Sequence, residues 1–150
     1  RFGSKVKGSL IPKGGADVIM SFEPSEALRN RIYANANTFM FINKSKIMPL
    51  SIYQNRKLKY PEIKEIKEDL GKISQHIHFL DANKIALEAG NIKTVNVVMI
   101  GFMYGSGKVP LDQDNLLAAI LEYVPPKAKE VNKVAFELGM KYGKKLREVL

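Results

Sequence analysis

Glu23 follows a short apolar run, Val18 to Phe22, and stands directly before Pro24. A carboxylate at such a place could act as a general acid or base. It also suits the start of a helix, where unpaired backbone N–H groups favour negative charge, and that capping role is the commoner one. His76 and His78 are the only two histidines. Two positions apart on a strand, they share a face and could hold a metal. No carboxylate cluster is obviously aimed at them, so a half-exposed strand face accounts for the pair better. Gly105-Ser106-Gly107-Lys108 invites a phosphate-loop reading. A Walker A motif needs glycine where Phe102 stands and Ser or Thr where Val109 stands. A helix-ending glycine turn before Pro110 is the better account. The sequence has neither a Gly-x-Gly-x-x-Gly fingerprint nor a nucleophile-elbow pattern.

Cysteine is absent. The sequence therefore offers no disulfide, no thiolate nucleophile and no cysteine-held zinc or iron–sulfur cluster. The net charge is +9 and uneven. Residues 1–13 carry Arg1, Lys5, Lys7 and Lys13 with no acid, and residues 44–59 carry Lys44, Lys46, Arg56, Lys57 and Lys59 with no acid. Residues 126–150 hold seven bases and three acids. Clustered positive charge suits an anionic partner, whether a phosphate-bearing ligand, nucleic acid or an acidic protein. The C-terminal cluster reads as a solvated surface. The 44–59 cluster mixes bases with Tyr53 and Tyr60, a mixture that can stack and neutralise single strands. It lacks any repeat of that pattern, so a surface loop is the simpler reading.

The elements that must position these side chains alternate. At 150 residues with a 45% hydrophobic fraction, the chain fits one domain with a real core. Val6, Leu10 and Ile11 read as a two-stranded piece closed near Lys7-Gly8. Val18–Phe22 reads as a buried strand running into a helix with Pro24 in its first turn. Thr38–Ile42 is a second strand, apolar throughout, as expected when both sheet faces are covered. Ile47–Tyr53 forms a short third strand or an extended loop, with Pro49 arguing against a central place. Tyr60-Pro61 starts a helix carrying Ile63, Ile66 and Leu70, and Ile73–Leu80 is the next strand. Asp81 caps a helix closed by Gly90, and Thr94 caps a nearly all-apolar helix from Val95 to Tyr104 that should be buried. Asp112 or Asp114 starts a shorter helix. The last helix runs from Pro126, with Val131, Val134, Leu138, Tyr142 and Leu146 as its apolar stripe and Gly139 and Gly143 allowing close packing. The expected fold class is α/β, a three-layer Rossmann-like domain with a mostly parallel sheet and helices on both faces.

Four stretches carry a family resemblance: Leu10-Ile-Pro-Lys-Gly-Gly-Ala-Asp17, Phe22-Glu-Pro-Ser-Glu-Ala-Leu28, Gly90-Asn-Ile-Lys-Thr-Val-Asn-Val-Val-Met-Ile-Gly101 and Asn132-Lys-Val-Ala-Phe-Glu-Leu-Gly139. In order and spacing they resemble the gamma-type subunit of the 2-oxoacid:ferredoxin oxidoreductases. The Phe-Glu-Pro-x-Glu-Ala motif favours the indolepyruvate branch. The family normally begins with a glycine-rich strand–turn–helix ahead of the residue matching Arg1. The resemblance therefore implies a single gamma-type domain over residues 1–150 that is truncated at its N-terminus.

What the resemblance implies about function is specific. The chain would be an accessory subunit of an enzyme that oxidatively decarboxylates an aryl 2-oxoacid to an acyl-coenzyme A and passes electrons to ferredoxin. Its partner would be a large subunit holding thiamine diphosphate and iron–sulfur clusters, with coenzyme A bound in the complex. No cofactor would be held by this chain alone, and the isolated chain would be inactive. Cytoplasmic residence is expected, because no apolar run is long enough to span a bilayer. On this reading Ser21, Phe22, Glu23, Pro24, Asn43 and Asn96 form the edge that faces coenzyme A or the partner. Asn96, an amide inside an apolar helix, either satisfies a buried backbone group or reaches that edge. The alternatives are the gamma subunit of a pyruvate or 2-oxoglutarate enzyme, or a basic α/β module that binds nucleic acid. The Phe22–Leu28 motif has no explanation in nucleic-acid binding.

Overall fold

The computed structural model describes residues 8–48 and 59–147, together with Gly3 and Val6. Arg1, Phe2, Lys5 and Lys7, most of the expected 47–53 strand, and Tyr53, Arg56 and Lys57 of the basic cluster lie outside the described residues. The fold is α/β and Rossmann-like, with a three-stranded parallel sheet in the order β1 (Val18–Ser21), β2 (Phe39–Asn43), β3 (Ile77–Leu80). Strand β1 pairs with β2 in parallel, from Val18 opposite Phe39 to Ser21 opposite Ile42. Met40 N donates to His76 O and Lys44 N to Leu80 O, each at 2.8 Å, so β3 runs parallel to β2 as well. Met40, Phe41 and Ile42 are consecutive and each fully buried. Alternate residues of a strand point to opposite faces, so both faces of β2 are covered and its unbroken apolar sequence is explained.

The chain divides into two compact units. The first comprises Arg1–Ile42 and Lys46–His78. In it, helix α1 (Pro24–Arg29) packs against β1 and against helix α2 (Ile63–Gly71). Pro24 starts α1 because its missing N–H is an orphan there in any case. In α2, Glu62 and Glu65 form a reciprocal capping box, and Ile66 and Leu70 are buried. Strand β3 begins four residues later than the expected Ile73. Ile73 N and Ser74 N both donate to Leu70 O, closing the helix and using up those residues. The N-terminal segment also differs from expectation. Val6 and residues 8–11 form no strand, and Leu10 is 84% exposed. Ile47 and Met48 are irregular and exposed.

The second unit comprises Asn43–Ser45 and Phe79–Leu150. It contains helices α3 (Ala82–Glu88), α4 (Val95–Gly105), α5 (Gln113–Glu122) and α6 (Lys129–Arg147). Asp81 caps α3 by accepting from Lys84 N at 3.0 Å. Thr94 makes no side-chain cap for α4. A short 3₁₀ turn, Ile92–Thr94, precedes the helix, and Asn91 caps that turn by accepting from Lys93 N. The last helix follows its expected course but buries a different face. Asn132, Ala135, Phe136, Gly139 and Gly143 are buried, whereas Val131, Val134, Leu138, Tyr142 and Leu146 are only half-buried. The reason is close approach to α4. A Cβ on Gly139 would strike Val98 O, and one on Gly143 would strike Phe102 O; a Cβ on Gly101 would strike Phe136 O, and one on Gly105 would strike Met140 O. Small residues, not large apolar ones, form this seam.

Candidate functional site

The strand-to-helix edge of the first unit is built around Glu23. Ser21 ends β1, buried, and its hydroxyl donates to Glu23 O at 2.6 Å. That bond turns the chain so that Glu23 sits extended (φ −152°, ψ 152°) as the N-cap of α1. Its carboxylate accepts from Ser25 N at 3.2 Å and from the hydroxyls of Ser25 and Tyr60. The Tyr60 hydroxyl in turn accepts from Ser25 N at 3.0 Å. Burial pushes the Glu23 carboxyl up, but the hydrogen bonds from Ser25 and Tyr60 outweigh it and hold the group below its ordinary range. Burial, and then the bond to Glu23, push the Tyr60 hydroxyl above its ordinary range. Glu23 is therefore a fixed, ionised cap at neutral pH and a poor proton acceptor.

Pro24 is buried, and Phe22 is 41% exposed beside these polar contacts. A groove of about 440 Å³ opens there, lined by Ile19, Met20, Phe22 and Ile47 with the Glu26–Arg29 ion pair. Lys46 pairs with Glu62 at 3.0 Å and lies over the Tyr60 ring, 5.6 Å from its centroid. Lys46, near the start of the basic segment, thus meets Glu62 and Tyr60, which follow its end, and Tyr60 bonds to the cap. By sequence Tyr60 is only an aromatic at a helix start. Its partner lies 37 residues earlier, a separation that no local pattern encodes.

Asn43 belongs to the second unit and is 2% exposed. Its Oδ1 accepts from Ala82 N at 3.0 Å and from Ser45 N at 3.4 Å. Its Nδ2 donates to Asn83 Oδ1 at 2.9 Å, and Asn83 donates on to Ser45 Oγ at 3.0 Å. This network ties the end of β2 to the start of α3. Asn96 is exposed on α4, so the expectation of an amide satisfying a buried backbone group is corrected. The helix is apolar in sequence, yet its first turn leaves position 96 in solvent.

The other chemical candidates resolve simply. His76 stacks on Phe39 with ring centroids 4.3 Å apart, and His78 lies against Phe41 at 5.8 Å. No group of three metal-ligating side chains occurs among the described residues. Gly105 is the last residue of α4, Ser106 Oγ donates back to Met103 O, and Gly107 N donates to Tyr104 O. Gly107 has φ +74°, as a helix-ending glycine should. These donors turn to the helix and not outward to a phosphate. Among the described residues, no helix is long and apolar enough to cross a membrane.

The first unit thus presents an α/β strand-to-helix edge of fixed contacts around Glu23. Comparison with known proteins identifies the family: the chain belongs to the pyruvate ferredoxin/flavodoxin oxidoreductase family, which it matches over residues 1–142. It is 42% identical to indolepyruvate oxidoreductase subunit IorB of Thermococcus kodakarensis over 97% of this chain and 72% of the relative. The same subunit of Pyrococcus horikoshii is 40% identical over the same shares, and that of Archaeoglobus fulgidus 37% identical over 89% of this chain and 66% of the relative.

Proposed function

We propose that this chain is the accessory subunit of an oxidoreductase that oxidatively decarboxylates indolepyruvate, or another aryl 2-oxoacid, to the acyl-coenzyme A with ferredoxin as electron acceptor. The observation that carries this reading is the 42% identity to an indolepyruvate oxidoreductase subunit across 97% of the chain. The site supports it from a second side. Glu23, the carboxylate at the strand-to-helix edge, is spent on capping, which suits a chain whose partner supplies the chemistry. A large subunit would hold thiamine diphosphate and the iron–sulfur clusters. This sequence, without cysteine, has no thiolate to ligate a cluster. The enzyme works in the cytoplasm on this reading.

The edge Ser21–Pro24 with exposed Phe22 is the face turned to the partner or to coenzyme A. The groove fits that role by its mixed lining, the apolar Ile19, Met20, Phe22 and Ile47 beside the polar Ser21, Glu23 and Asn30 and the Glu26–Arg29 pair. Asn43 ties the end of β2 to the start of α3 through its network, and Asn96 offers a solvent-facing amide on α4. The test is co-expression with the large subunit, followed by indolepyruvate-dependent reduction of ferredoxin in the presence of coenzyme A. Activity that requires both chains is the expected result. Recovery of this chain alone from its native source, with no large partner, would sink the reading. Replacing indolepyruvate by pyruvate or 2-oxoglutarate in the same assay assigns the substrate.

A further inference from the structure

The groove at Phe22 opens at the carboxyl end of β1, where ligands of open α/β sheets gather. All of its lining residues belong to the first unit, so it is complete within that unit. Its volume of about 440 Å³ lies within the range of small-molecule sites, roughly 300–1,000 Å³. One wall is apolar. Ile19 and Met20 are half-buried there, and Phe22 and Ile47 are exposed. Four apolar side chains gathered at one concavity form a binding surface, unlike single exposed residues scattered over a protein. The other wall is polar and carries charge. Glu23 is held ionised by its hydrogen bonds, and Glu26 pairs with Arg29, so the lining side chains sum to −1.

That charge sorts the ligands of the proposed reaction. Coenzyme A carries several phosphate charges, which a net negative wall repels. An indole ring is flat, apolar and uncharged, and the relatives at 42% and 40% identity are named for indolepyruvate. Such a ring packs offset or edge-on against a phenylalanine, and a methionine sulfur suits its edge. Phe22 and Met20 offer both contacts at the same groove. We propose that this groove holds the aryl ring of the 2-oxoacid, with Phe22 as a specificity-determining residue and Ile19, Met20 and Ile47 as the supporting wall. The 2-oxo end stays outside the groove for the partner's chemistry. After acyl transfer the coenzyme A also stays outside, its phosphates clear of Glu23 and Glu26. The inference rests on the indolepyruvate reading above and adds to it which side chains of this chain select the ring.

The test uses the complex of this chain with the large subunit, carrying wild-type, Phe22→Ala or Phe22→Tyr protein. Phe22→Ala is expected to raise KM for indolepyruvate about tenfold while kcat stays within about twofold, the mark of a contact made equally to substrate and transition state. Phe22→Tyr keeps the ring and should restore the wild-type KM. Indole-3-acetate has the same ring without the reacting carbonyl. It should inhibit the wild-type complex competitively and lose about tenfold in affinity with Phe22→Ala. KM for coenzyme A and the affinity between the two chains should not move, which a merely structural loss would not spare. An unchanged KM for indolepyruvate would overturn the proposal. So would a higher KM for coenzyme A or a weaker complex in its place, since the groove would then hold the cofactor or a side chain of the partner. The wild-type complex tests the underlying reading separately: if it turns over no aryl 2-oxoacid, that reading falls, and this inference with it.

Discussion

Tyr60 donates its hydroxyl hydrogen to the carboxylate of Glu23, 37 residues earlier in the chain, and with the same oxygen accepts from Ser25 N. One phenol thus completes the cap of α1 and fixes the start of the segment that leads into α2. The first unit holds its strand-to-helix edge by this contact and by the hydroxyl bond of Ser21.

Tyr60→Phe should therefore destabilise the chain by about 1–3 kcal/mol, since it leaves the buried Glu23 carboxylate and the Ser25 amide each short of a partner. Urea denaturation of the two proteins measures this. A midpoint unchanged from wild type would show that the contact contributes nothing.

The same cluster predicts a pH dependence. The folded Glu23 pKa lies below its ordinary 4.5, so the unfolded chain binds more protons there and stability rises with pH in that range. This contribution is fully present above 4.5 and is lost as pH falls through the lower folded value. Tyr60 has the opposite sign: its folded pKa lies above 10.0, so its contribution is present below 10.0 and is lost as pH rises through the folded value. Unfolding free energies of wild type and Tyr60→Phe against pH should converge at both extremes. Parallel curves would refute the linkage.

At the helix seam, Gly139→Ala should cost about 1–3 kcal/mol or more, because its Cβ meets the backbone carbonyl of Val98 and not a movable side chain. Gly71→Ala is the control. Nothing lies within 4 Å of its added Cβ, and a glycine replaced at the end of α2 should leave stability level or raised by about 0.4–1 kcal/mol. Thermal melts of both variants decide the matter.

Two asparagines of the expected site should behave differently. Asn43→Ala removes both ends of a buried network and should cost about 1–3 kcal/mol. Asn96→Ala, at an exposed position, should stay within about 0.5 kcal/mol of wild type. A large loss at position 96 in the free chain would contradict its solvent-facing position on α4.

What is local or periodic is legible in the sequence. Strands β1 and β2 announce themselves through the mostly apolar stretches Val18–Phe22 and Thr38–Ile42, and Asp81 and Pro24 as helix starts, because these signals act within a few residues. The misses come from tertiary contact. The large apolar residues of α6 suggest one buried face, yet the seam with α4 selects small ones, and no hydrophobic pattern reveals where two backbones touch. The apolar neighbours of Asn96 suggest an inward place, but helix burial is set by facing and not by mean composition. Glu23 reads more readily as a cap than as a catalyst, and Tyr60, arriving from far along the chain, fixes that role.

The seam between α4 and α6 has a mechanical consequence. Where Gly101 and Gly105 face Gly139 and Gly143, main chain rests on main chain, and no rotamer can change the width of the gap. Side-chain packing yields by small rotations; this contact has none to give. The two helices should therefore slide or hinge less than a leucine-packed pair, and substitutions on their solvent faces should leave the spacing unaltered. The second unit has, in effect, a spacer of fixed gauge at its centre, on which its outer helices can be altered without resetting the frame.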